Sequence, residues 1–251
     1  IGPVDGHDVE KITELLRSCV QLNEPVLLHL TTKKGKGFAP AEKMPQNFHG
    51  VGKFDPVSGR PVVSKTLTFS NVFGAELTAM ARESDKICAI TAAMQRGVGL
   101  ETFARAFPKR YFDVGIAEGH AVSMAAGLAK QGMTPVVCIY STFLQRAFDM
   151  MLHDVAISRL HVVFAVDHTG FVGADGETHH GEFDIGFLRQ IPDMKIFVPA
   201  SLDELRRMLH IAVLETRNPV AICYPSGGEG AYNGCCTSTL VAPGTDCTVV
   251  T

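Results

Sequence analysis

Tryptophan is absent from this sequence and tyrosine occurs only four times, so 15 phenylalanines supply most of its aromatic content. No apolar run is long enough to cross a bilayer as a helix, which argues against a membrane partner. No sustained basic run stands out and the formal net charge is −3, so the electrostatic footprint of a nucleic-acid-binding protein is missing as well. Seven cysteines are scattered without metal-ligand spacing. An odd count with no framework reads as reduced thiols in a cytoplasmic protein, and the adjacent Cys235 and Cys236 as two separate thiols. There is no internal repeat. At 251 residues the chain has material for one or two domains with a full core.

What the sequence does have is rhythm. Asp8 to Val20 shows helical spacing, with Val9, Ile12, Leu15, Leu16 and Cys19 on one stripe, and "PVLLHL" (Pro25 to Leu30) reads as a buried strand. From Lys33 to about Ser64 the pattern dissolves into Gly, Pro and Lys, the composition of a long connection. Strands and helices then alternate. Predicted helices cover Phe69 to Arg82, Leu100 to Phe107, Ala117 to Lys130, Phe143 to Ala156, Phe183 to Gln190 and Leu202 to Glu215. Predicted strands are "KICAIT", "RYFDV", "TPVVCIY", "HVVFAV", "KIFVPA" and "PVAICY". This order predicts a three-layer, doubly wound, mainly parallel α/β sheet with helices on both faces. Such sheets bind ligands beyond the carboxyl ends of their strands, and chemistry is sought there.

Three stretches meet that condition. Glu118 is the only charged side chain between Val114 and Ala129, with His120 counted neutral, where a strand gives way to an apolar helix. It complements the dipole of the first turn, or it is a buried acid placed for proton chemistry. In "YSTFLQRAFD", Ser141 or Thr142 is placed to cap the next helix, and Phe143 and Arg146 share a helical face. That pair is either a core ring beside a surface cation or a seat for a flat ligand and an anion. "DHTGFVGADGETHHGEFD" (Asp167 to Asp184) gathers four glycines with histidines and acids in one loop. His179 and His180 point opposite ways in an extended chain and predict no metal site.

Several motifs together carry a resemblance: "IGPVDGHD", "TKKGKGFAPAEK", "FHGVGKFDP", "FDVGIAEGHAV", "IYSTFLQRAFD" and "GADGETHHGEFD". With them the chain closely resembles the 1-deoxy-D-xylulose-5-phosphate synthase family, which belongs to the transketolase-like thiamine diphosphate enzymes. The resemblance covers almost the whole chain. It implies that residues 1–64 are the tail of a diphosphate-binding domain with its connecting segment, 65–230 a pyrimidine-binding transketolase-like domain, and 231–251 a linker and the start of a C-terminal domain. Both ends then read as internal to a longer protein. It also implies a cytoplasmic homodimer that joins pyruvate, after decarboxylation, to glyceraldehyde 3-phosphate on the route to isoprenoid, terpenoid and thiamine precursors. Thiamine diphosphate is the implied cofactor, with Mg²⁺ held by ligands outside this chain.

Residue by residue, the resemblance makes Glu118 the acid that hydrogen-bonds N1′ of the aminopyrimidine, Phe143 the ring that stacks on it, and Met94 a further cofactor contact. Tyr140, Arg146, Asp175 and His179 match substrate-side positions, and His49 matches a histidine near the reactive carbon. This chain departs from the family pattern at Gly119 (an amide side chain is expected), Val98 (serine), Glu177 (proline), and His168 and Ser226 (two arginines that anchor the acceptor's phosphate). The cofactor half is nearly intact and the acceptor half altered. A transketolase-like enzyme with another aldehyde acceptor and a non-catalytic paralogue therefore stand beside the leading reading.

Overall fold

The computed structural model describes residues 1–62 and 66–229. It divides into two compact units, Ile1–Lys65 and Thr66–Thr251. Residues 231–251, read above as a linker and a domain start, lie outside the described residues.

In the first unit β1 (Val4–Asp5) pairs in parallel with β2 (Leu30–Thr31), and α1 (Val9–Val20) lies between them in sequence. The Asp8 side chain caps α1 by accepting from the Lys11 N–H at 2.9 Å. The expected buried strand from Pro25 to Leu30 is reduced to two paired residues, with Leu27 and Leu30 exposed. Only Val4 and Asp5 offer it a ladder, and α1 buries none of its residues within the unit. The connection carries α2 (Ala39–Lys43), beside which the rings of Phe38, Phe48 and Phe54 cluster at 5.4–5.9 Å.

The second unit holds the predicted sheet. Its strands are β3 (Ile87–Thr91), β4 (Tyr111–Asp113), β5 (Thr134–Tyr140), β6 (Val163–Asp167), β7 (Lys195–Phe197) and β8 (Val220–Cys223), all parallel, in the order β4-β3-β5-β6-β8-β7. Successive strand residues point to opposite faces. Ala89, Val136, Cys138, Ala165 and Ile222 therefore join a core under α3 (Phe69–Glu83), α4 (Glu101–Ala106) and α9 (Leu202–His210). Ile90, Val137, Ile139, Phe164 and Cys223 join the core on the other face, under α5 (Glu118–Lys130), the segment after β5, and α8 (Asp184–Leu188). With both faces covered, the strands read as unbroken apolar runs. Thr68 and Asn71 close a capping box that starts α3, and Ser201 caps α9.

The helix expected from Phe143 to Ala156 is broken. It consists of α6 (Ser141–Leu144), a 3₁₀ turn (Gln145–Ala147), α7 (Phe148–Met150) and a π-helical turn (Met151–Ala156). Its apolar residues keep helical spacing, but Leu144, Ala147, Met151 and Val155 must all reach the same core, and local winding shifts to bring them there. Neither Ser141 nor Thr142 caps it, because the helix begins at Ser141 itself and Tyr140 takes the cap position. Ser141 Oγ instead donates to the buried carboxylate of Asp184 at 2.6 Å. The last predicted helix likewise ends in a π-helical turn, Ile211–Glu215.

Candidate active site

The chain leaves β3 toward β4 on one side of the sheet and leaves β5 toward β6 on the other. The crevice between the carboxyl ends of β3 and β5 is thus a topological switch point, where open α/β sheets bind their ligands. Met94 follows β3; Tyr140, Phe143 and Arg146 follow or end β5; His168, Asp175 and His179 follow β6; Glu118 opens α5 after β4.

Direct contacts link all of them. Glu118 is 3% exposed and its Oε1 accepts a short hydrogen bond from Arg146 Nη1. This ion pair compensates a carboxylate that would otherwise be costly to bury. Arg146 Cζ lies 4.9 Å from the centre of the Phe143 ring. Phe143 stacks on Tyr140 with centroids 5.9 Å apart and takes His179 edge-on at 5.4 Å. Tyr140 in turn stacks on His168 at 3.9 Å. The Tyr140 N–H points at Met94 Sδ, 3.4 Å away. His168 Nε2 is 3.8 Å from Asp175 Oδ2. His179 Nδ1 lies 3.0 Å from Thr178 Oγ1, while His180 Nδ1 accepts the Val172 N–H. His49 belongs to the first unit, where it is exposed with its Nδ1 2.9 Å from Lys34 Nζ.

The supports of this cluster are backbone and polar groups that sequence reading passed over. Asp113 Oδ1 accepts from the N–H groups of Ala93 (2.8 Å) and Gly115 (3.0 Å), holding Ala93 at φ +61 just before Met94. Gly97 is demanded by Tyr140: a Cβ there would meet the phenol oxygen at 1.6 Å. Gly119, where the resemblance expects an amide, has the Met150 Cε atom 3.0 Å from where a Cβ would stand. Val98, in place of the expected serine, is fully buried in the core under α3. Asp167, at the end of β6, is fully buried and accepts from Ser70 Oγ at 2.7 Å. An acid closing an apolar strand was the available signal for Asp167. Ser70 carries none, since it is brought there from α3, 97 residues away in sequence.

Burial raises the proton affinity of two groups in or beside the cluster. Tyr140 is pushed up to about 12, by burial first and then by the charges of Asp167 and Asp175. Asp184 is raised by burial, against a lowering by the Ser141 hydrogen bond. The arrangement sets a buried, cation-paired carboxylate beside an aromatic face, and a histidine–aspartate loop beyond it. That combination suits a flat ligand that carries polar groups at its edge.

Known proteins resemble this chain along most of its length. The family model described as transketolase, pyrimidine binding domain, matches residues 65–228, and one described as 1-deoxy-D-xylulose-5-phosphate synthase matches residues 1–32. The 1-deoxy-D-xylulose-5-phosphate synthase of Clostridium kluyveri is 50% identical over 232 residues, 92% of this chain and 37% of that protein. That of Heliobacterium modesticaldum is 53% identical over 230 residues, 90% of this chain and 35% of the relative. The chain thus spans little more than a third of the length of these relatives. Among solved structures, a split-gene transketolase described as an inactive β4 tetramer aligns with TM-score 0.58 at 29% identity, over 67% of this chain and 55% of that one. The transketolase of Leishmania mexicana has the same fold, with TM-score 0.59 at 20% identity over 67% of this chain and 27% of its own. The match from 65 to 228 takes in the whole six-stranded sheet and the linked cluster at its switch point, and on it the chain belongs to the transketolase pyrimidine-binding domain family.

Proposed function

We propose that the protein containing this chain is a thiamine diphosphate-dependent 1-deoxy-D-xylulose-5-phosphate synthase, which decarboxylates pyruvate and joins the remaining two carbons to glyceraldehyde 3-phosphate. This activity supplies isoprenoid and thiamine precursors in the cytoplasm. About half of the residues are identical to such synthases over nine-tenths of the chain, which supports the reading. The observation that carries it is Glu118: a carboxylate 3% exposed, at the head of α5, paired with Arg146 and flanked by the Phe143 ring.

The residues present fit the pyrimidine end of the cofactor. Glu118 would hydrogen-bond its ring nitrogen, while Phe143 and Met94 would hold its plane. Thiamine diphosphate, when bound, supplies the electron sink for decarboxylation. Glu118 would hold the proton shared with that ring nitrogen, and Arg146 orients its carboxylate through their ion pair. Tyr140, Arg146, Asp175 and His179 orient the substrates, and His49 is assigned a catalytic role on its motif alone. Mg²⁺ is held by residues outside this chain, as is the diphosphate. Residues 1–64 are assigned as the end of the diphosphate-binding domain and its connection, 65–230 as the pyrimidine-binding domain, and 231–251 as a linker and the start of a C-terminal domain.

The test is the full-length protein assayed with thiamine diphosphate, Mg²⁺, pyruvate and glyceraldehyde 3-phosphate. Glu118→Ala should lower the rate by roughly 10²–10⁴ and slow C2–H exchange of the bound cofactor, followed by NMR. Exchange at the wild-type rate in the variant would return Glu118 to the role of a helix-dipole acid.

A further inference from the structure

Glu118 and Met94 reach the crevice on different elements, and neither element fixes its own end. Glu118 is the first residue of α5, whose cap position, Ala117, makes no side-chain hydrogen bond. Met94 stands in the turn after β3, directly behind Ala93 at φ +61, in the left-handed region that residues with a Cβ rarely adopt. Neither conformation is favoured locally, so the surroundings impose both.

One oxygen reaches both. Asp113 ends β4, in register with Thr91 at the end of β3. The β3–β4 ladder stops at this pair, and the Val114 N–H adds a main-chain bond to the Thr91 carbonyl at 3.0 Å. Beyond it, Asp113 Oδ1 accepts the Ala93 N–H at 2.8 Å and the Gly115 N–H at 3.0 Å. On the β3 side the next residue is Met94, whose Sδ lies 3.4 Å from the Tyr140 nitrogen. On the α5 side the Gly115 carbonyl accepts the Ala117 N–H at 2.8 Å, and the Ala117 carbonyl accepts the Ala121 N–H at 3.0 Å. A run of hydrogen bonds thus leads from Tyr140 and Met94, through a single carboxylate oxygen, to the residue before Glu118. The ion pair with Arg146 aims the Glu118 side chain, whereas this run places its backbone.

We infer that Asp113 is a positioning residue that sets the separation of Met94 and Glu118, and that it acts as a shared acceptor oxygen rather than as a charge. What the separation serves, the presentation of the acid to a flat ligand held by Met94, rests on the synthase reading above. The tie between the two loops does not.

Three variants of the full-length protein separate oxygen from charge. Asp113→Asn keeps an acceptor oxygen in place and loses the charge. Asp113→Glu keeps the charge and moves its oxygens by one methylene. Asp113→Ala removes both, and if it does not fold, the first two carry the comparison. Peptide-resolved hydrogen exchange of the cofactor-free proteins reads the tie. Residues 92–95 and 114–118 should exchange faster together, by about tenfold, in Asp113→Ala and Asp113→Glu, the worth of one hydrogen bond to a charged group. In Asp113→Asn both segments should stay near the wild-type rate. With thiamine diphosphate at saturation, C2–H exchange should fall about tenfold to a hundredfold in the Ala and Glu variants, since a displacement on the order of 1 Å costs about that much, and Asp113→Asn should keep most of it. Equal losses in Asp113→Asn and Asp113→Glu, or faster exchange of one segment without the other, overturn the inference. So does a lowered unfolding midpoint with C2–H exchange of the folded, saturated enzyme unchanged, the mark of a purely structural role. Wild-type protein that does not accelerate C2–H exchange over free cofactor sinks the synthase reading instead, and hydrogen exchange then decides the tie by itself.

Discussion

A carboxylate 4% exposed needs a counter-charge, and Glu118 finds one in a guanidinium that is itself 54% exposed. Removing one partner of a fully buried pair costs about 3–5 kcal/mol. Solvent screening of Arg146 reduces that, so Arg146→Gln should destabilise the protein by about 1–3 kcal/mol, read as a lowered denaturant midpoint with unchanged slope. Asp184 behaves differently, because burial raises its pKa above the ordinary 3.8. Its folded form then binds a proton more tightly than its unfolded form. Wild-type stability from this group is present below pH 3.8 and is lost as pH rises through the raised folded value. Asp184→Asn keeps a partner for Ser141 without ionising. Its stability relative to wild type should therefore climb as pH rises through that window and then level off, measured by thermal melts from pH 3 to 8. A difference flat across pH would show that Asp184 is not held in its neutral form. Thiols divide the same way. Burial pushes Cys88 up to about 11 and Cys223 up to about 12, and also raises Cys138 well above the usual thiol value. Peptide-resolved alkylation of the folded protein at pH 8 should label Cys19, which is partly exposed, well before these three.

At the scale of elements, close approach sets which glycines are replaceable. Gly74 on α3 faces the Gly99 carbonyl, which a Cβ would meet at 1.9 Å. Backbone on both sides leaves no flexible group to yield. Gly74→Ala should cost about 1–3 kcal/mol by forcing α3 away from the loop that follows β3, and equilibrium unfolding checks it. Gly97→Ala should act on the site instead. Displacing Tyr140 from its 1.6 Å conflict disturbs the stack onto Phe143 and His168, so turnover should fall by more than stability does. The winding after β5 serves the same end. A 3₁₀ turn between α6 and α7 holds Arg146 while Leu144 and Ala147 stay in the core.

For the whole molecule, a homodimer is expected. The small residues Ala121, Ala125 and Ala126 of α5 are spent inside the core of their own unit. Large apolar side chains are left exposed near the carboxyl ends of the strands, with Ile116 at 81% and Phe171 at 78%. Exposed rings on ligand-edge loops favour burial against another surface. Light scattering of the full-length protein should report a dimer at micromolar concentration, and monomer throughout that range would sink the expectation.

Local pattern by itself determined the sheet and its connectivity, because parallel strands buried on both faces must be apolar throughout and helices must interrupt them at regular spacing. It also selected Glu118, since one acid in an apolar helix start is legible without coordinates. Motif resemblance added the other site positions, which spacing alone left undecided between core and site. What pattern did not reach was pairing across distance. Ser70 and Asp167, Ser141 and Asp184, and Glu118 and Arg146 are 97, 43 and 28 residues apart. No local period relates them. The broken helix after β5 escaped for a related reason, since its residues keep a helical period while their winding answers to the core they must reach. Strand order was decided only by the tertiary fold: placing β3 and β5 side by side, with their chains leaving in opposite directions, opens the crevice in which these residues meet.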